Sequence, residues 1–94
     1  MITTAINEKR LIEFTYDGLL RIAEPHVYGV KDGKYELLVY QISGQSRSGG
    51  LPNWRRVELH KVTNMKILNE TFLGRRATPS GKHSSFDRTI AIVR

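Results

Sequence analysis

The chain has 94 residues, enough for one small domain with a single core. It has no cysteine, which excludes a disulfide scaffold, a zinc ribbon and a thiol nucleophile. Fifteen Lys and Arg against nine Asp and Glu give a net charge of +6. Residues 1–50 are balanced, so the whole excess lies in residues 51–94, a pattern that points to an anionic partner or to a solvated basic surface. No apolar run is long enough to span a membrane, and the N-terminus lacks the pattern of a signal peptide. A soluble, cytoplasmic protein without a cofactor is expected.

The first ten residues read as one short helix, with Thr3 or Thr4 as N-cap and Ala5 and Ile6 facing the core. Leu11–Tyr16 alternates as a strand, and Asp17-Gly18 signals a two-residue hairpin. Leu19–Glu24 returns, and Pro25 ends that ladder or marks a bend. His26–Val30 is a short apolar segment, and Asp32-Gly33 is a second turn signal. Tyr35–Ile42 is the longest apolar strand and is expected at the centre. Residues 43–53 are rich in Gly and Ser and read as a surface loop.

Trp54–Leu59 is the fourth strand, with Arg55 on the face of Val57 and Leu59. Trp54 shares the other, mostly polar face with Arg56 and Glu58. A turn near His60–Asn64 leads to a fifth strand, Met65–Leu68. Residues 74–85 are polar, basic and turn-rich, and residues 88–94 hold a candidate extra strand. One helix followed by five or six closely spaced short strands makes a mainly β protein, a small bent sheet or barrel.

In order along the chain stand Phe14-Thr15-Tyr16, then Arg21-x-x-Glu24-Pro25-His26-x-Tyr28-Gly29, then Tyr40-Gln41. Gly44-x-Ser46-x-Ser48-Gly49 and Pro52-x-Trp54-Arg55 follow. This series resembles the WYL domain, a bacterial module, and in particular its short stand-alone relatives. The resemblance covers residues 2–73, with a weaker match at Phe86-Asp87-Arg88. It implies a five-stranded Sm-like β-barrel with a short N-terminal helix over residues 1–73, and a basic extension over 74–94. It also implies ligand sensing: a nucleotide-like or single-stranded nucleic-acid ligand held by basic and aromatic residues, in transcription regulation. The family arginines fall on Arg21 and Arg55, and the strand tyrosine on Tyr16. The Trp-Tyr-Leu triplet itself is replaced by Lys34-Tyr35-Glu36-Leu37. No helix-turn-helix precedes the barrel, and the C-terminal extension of many members is missing. A one-chain repressor or activator is therefore not expected.

The residues support the same chemistry. Arg21 and Arg55 can clamp a phosphate, because the guanidinium fork matches two of its oxygens. The competing role is pairing with Glu13, Glu24 or Glu58 on neighbouring strands. Tyr16, Tyr35, Tyr40 and Trp54 are candidate stacking platforms, and core packing is the alternative, strongest for Tyr40. His26 is a further ligand candidate, with a surface or capping role as its alternative. The glycines of the 43–53 loop suit an anion nest or a plain connection. The three histidines lack a metal-like spacing. No histidine stands beside a second acid–base group, so catalysis is not expected. The ligand set is thus Tyr16, Arg21, His26, Trp54 and Arg55, with no metal. The alternative function is a structural or protein-interaction module, a homodimer or larger oligomer built on strand edges and the C-terminal tail.

Overall fold

The computed structural model describes residues 1–46, 50–77 and 86–94. A helix, α1 (Ile2–Asn7), leads into β1 (Arg10–Tyr16), β2 (Leu19–Lys31), β3 (Lys34–Gly44) and β4 (Asn53–Glu58). A 3₁₀ turn over Leu59–Lys61 joins β4 to β5 (Val62–Thr71), and β6 (Arg88–Ile92) comes last. The strands form one antiparallel sheet in the order β4-β3-β2-β1-β5, with β6 added on β2. Among the described residues the path ends at β4 and β5, and the sheet does not close.

Local chemistry explains most of these elements. Helix α1 buries Ala5 and Ile6, and Met1 rather than a threonine holds its N-cap position, with no side-chain cap. Asp17 and Gly18 both take positive φ, 54° and 72°, as do Asp32 and Gly33, at 50° and 77°. Paired left-handed residues give the turn twist that matches twisted strands, hence the two tight hairpins. Strand β2 does not stop at Pro25. It bends there, with register shifts against β3 on either side of Ala23–Pro25. Pro25 stands between Ala23, the last partner of β1, and Val27, the first partner of β6. A missing N–H is tolerated at such a break between ladders. Strand β5 begins at Val62 rather than Met65, because Val62 and Thr63 already pair with Tyr16 and Thr15.

The bend lets the sheet enclose its own core. Ala5, Ile12, Phe14, Ala23, Leu37, Val39 and Val57 pack together, flanked by Tyr16, Leu59, Val62 and Ile67. Phe14 is fully buried, a burial worth ~1.5–3 kcal/mol relative to exposure. A second, smaller cluster, Val27, Leu38 and Trp54 with Tyr40 and Phe86, lies on the opposite face. The C-terminal segments cover it. Asp87 N–H donates to Val30 O at 2.8 Å, and Val93 N–H to His26 O at 2.8 Å. Gly29 permits this crossing, since a Cβ there would stand 2.4 Å from Arg88 O and 2.7 Å from the Phe86 ring. No helix is long and apolar enough to cross a membrane among the described residues.

Candidate functional site

The structure divides the five candidate residues into two groups. Tyr16, Arg21 and Arg55 line one cavity of about 220 Å³, together with Asp17, Ser46, Arg56 and Val57. Tyr16 ends β1, Arg21 lies near the start of β2, and Arg55 lies in β4. The hairpin at Asp17-Gly18 sets Arg21 back across from Phe14, on the core side of the sheet. The alternation of β4 turns Arg55 toward that side with Val57. Two arginines from separate strands thus line one cavity with Tyr16, and the guanidinium of Arg21 lies over its ring.

Each guanidinium is held. Arg21 is 5% exposed, donates from Nη1 to Gln41 Oε1 at 3.4 Å and from Nη2 to Tyr16 O at 3.3 Å, and lies 5.3 Å from the Tyr16 ring centre. Gln41 is fully buried, and its Nε2 donates to Ser43 O at 3.2 Å and Gln45 O at 2.8 Å. That amide ties the loop after β3 to the arginine. Arg55 is half-buried and donates from Nη2 to Ser46 Oγ at 2.6 Å. The Tyr16 hydroxyl accepts from Glu58 N–H at 3.3 Å, which fixes the ring against β4. Asp17 lines the same cavity.

His26 and Trp54 lie elsewhere, in the second cluster. His26 is fully buried, and Trp54 is 9% exposed. Their rings meet edge to face at 4.8 Å, and Trp54 meets Tyr40 at 5.1 Å. Trp54 therefore packs in a core and offers no open face for stacking. The face expected to be polar is covered instead, with Arg56 bridging Glu36 at 2.8 Å and standing over the Phe86 ring at 4.2 Å.

The expectation that no histidine stands beside a second acid–base group fails at His26, which pairs with the buried carboxylate of Glu24 in a network closed by the half-exposed Arg76. His26 Nε2 lies 3.0 Å from Glu24 Oε1. Arg76 grips the same carboxylate through Nε at 2.7 Å and Nη2 at 2.9 Å, and stacks over Tyr40 at 4.4 Å. Burial pushes the Glu24 carboxyl up, but the hydrogen bonds and charges of Arg76 and His26 outweigh it and hold it below its ordinary value. The hydrogen bond to Glu24 raises Arg76 in turn. An ionised carboxylate only accepts, so His26 carries a proton on Nε2.

No family model, no curated protein and no solved structure matches the chain. Among the described residues no group of three or more His, Cys, Asp or Glu comes together as a metal site requires. Residues 47–49, with Arg47 and one of the three glycines of the suggested anion nest, Gly49, lie outside the described residues, as does His83. The sequence reading missed Gln41 as a support. Its signal was present: a polar residue at the core-facing register of an apolar strand, two after Val39.

Proposed function

We propose that the chain is a recognition module without chemistry of its own. It binds a nucleotide-like or single-stranded nucleic-acid anion at the Tyr16–Arg21–Arg55 cavity, as the sensing part of a cytoplasmic regulatory system of the WYL kind. The shared lining of one cavity by Tyr16, Arg21 and Arg55 carries this reading. Arg55, half-buried, donates to phosphate oxygens. Arg21, buried and braced by Gln41, supplies a fixed positive charge behind it. The ring of Tyr16 receives a base, and Asp17 accepts from a sugar hydroxyl. His26 and Trp54 leave the ligand set and anchor the C-terminal cover. The strand order and the 3₁₀ turn between the two end strands support a small Sm-like barrel, left open between β4 and β5.

A second reading, a homo-oligomer, rests on those same end strands. Among the described residues β4 and β5 each have a neighbour on one side only, whereas the tail strand β6 is occupied by its own β2.

The test is a titration of labelled single-stranded DNA and RNA by anisotropy, and of nucleotides by calorimetry, with wild type and Arg55→Ala. Saturable binding that falls tenfold or more in a folded Arg55→Ala variant supports the reading, about the loss of one charge-assisted hydrogen bond. Failure of folded wild-type protein to bind any of these anions overturns it and moves weight to the oligomer. Trp54 emission is a poor reporter, because the indole lies in the other cluster.

A further inference from the structure

Tyr35, a stacking candidate in the sequence, takes no part in the arginine cavity. It opens β3 beside the Asp32-Gly33 turn, at the end opposite Gly44. A second cavity, of about 440 Å³, lies there, lined by Tyr28, Gly33, Lys34, Tyr35, Leu59 and His60. That volume is in the range of small-molecule sites, roughly 300–1,000 Å³.

The lining has a definite chemistry. The rings of Tyr28 and Tyr35 stand 6.0 Å apart, tilted by 36° to one another. Tyr35 is 51% exposed, so much of its ring remains open to a ligand. Leu59, half-buried, adds an aliphatic surface from the 3₁₀ turn. Nothing lies within 4 Å of a Cβ built on Gly33, so the rim on that side is low. Lys34 is the one basic side chain in the lining besides His60, and it reaches Glu58 at 3.4 Å, a carboxylate already held by Lys61 at 2.8 Å. His60 is exposed and adds a hydrogen-bonding imidazole.

We propose that this cavity binds a flat aromatic ring bearing an acidic group. The ring stacks on Tyr35 and rests on Leu59, and the acid meets Lys34 and His60. Neither Arg21 nor Arg55 lines the cavity, so the inference stands apart from the first site. A free aromatic acid and a nucleotide share this chemistry, and two probes distinguish them.

The experiment is a ¹H–¹⁵N NMR titration of the full chain with 2-naphthoate and, separately, with adenosine 5′-monophosphate. Cyclohexanecarboxylate is the non-aromatic control. Saturable shifts centred on the amides of Gly33, Lys34, Tyr35, Leu59 and His60 are expected with one or both aromatic probes, and show which source fits. Tyr35→Phe keeps the affinity, Tyr35→Ala weakens it about fivefold or more through loss of stacking, and Lys34→Ala weakens it for the same anion. Absence of saturable shifts there with both aromatic probes overturns the proposal. So does equal binding of cyclohexanecarboxylate, or undiminished binding by folded Tyr35→Ala.

Discussion

Glu24 is an ionised carboxylate in a buried position. A carboxylate with a side chain 4% exposed is costly to ionise, and two donors make it tolerable. Both donors matter for the architecture, since Arg76 comes from the C-terminal segment and His26 from the bent half of β2. Removal of Arg76 leaves a buried charge with one partner. Arg76→Ala should therefore cost on the order of 1–2 kcal/mol, less than the loss for fully buried pairs, because His26 remains and the Arg76 side chain is 48% exposed to screening solvent. The pH dependence follows from the sign of the Glu24 shift. Its pKa is lower folded than unfolded, so its stabilisation is complete above the ordinary value of 4.5 and is lost as pH falls through the folded value. Urea unfolding between pH 3 and 6 should show wild type losing stability on the acid side. Arg76→Ala should be weaker at pH 6 and show a shallower acid-side fall. Identical slopes in the two proteins would mean that the pair is not coupled to folding.

At the scale of elements, the readable features were those with local causes. Asp17-Gly18 and Asp32-Gly33 specify their turns by backbone preference alone, and the strands they join followed from alternation. That Tyr16, Arg21 and Arg55 share the apolar faces of their strands was legible by alternation, and all three lie on the core side of the sheet. Coverage from a distance was not legible. Alternation put Trp54 on a face with Arg56 and Glu58 but could not show Phe86 packing against that cluster and Phe72 against His26. The same limit hid the continuation of β2 past Pro25, which depends on β6 arriving from the far end of the chain. Gly44 illustrates a tertiary cause at one position. Its φ is 93°, and a Cβ would lie 2.5 Å from Leu20 O, the acceptor of Gln45 N–H at 2.7 Å. Gly33 has φ 77° but open space around it. Gly33→Ala should cost only the left-handed backbone penalty, ~1–2 kcal/mol. Gly44→Ala should cost clearly more and also weaken anion binding, because Gln45 O holds the amide that braces Arg21. Thermal unfolding of both variants, with ligand titration of the Gly44 variant, checks the contrast. Equal destabilisation would show that backbone contact at Gly44 relaxes freely.

At the scale of the whole molecule, the charge of +6 attracts any polyanion, so binding alone does not identify a site. Salt dependence separates the contributions. Each phosphate neutralised on a single strand adds about −0.7 to the slope of log K against log salt. Arg55 on a phosphate, with the fixed charge of Arg21 behind it, neutralises one to two phosphates and should give a slope between about −0.7 and −1.4 between about 50 and 200 mM salt. Arg55→Ala should reduce that slope by about 0.7, while removal of a remote surface charge such as Lys66 should change it little. Lys66 lies on β5, with Glu13 3.7 Å away, and does not line the arginine cavity. Anisotropy titrations of a labelled single strand at four or more salt concentrations within about this range supply the measurement. A slope much steeper than −1.4 that is equally sensitive to Arg55 and Lys66 would indicate diffuse attraction to the basic surface. An oligomer built on the β4 and β5 edges behaves differently again. Its backbone hydrogen bonds release few counterions, so its assembly, followed by light scattering over the same range, should be nearly flat in salt.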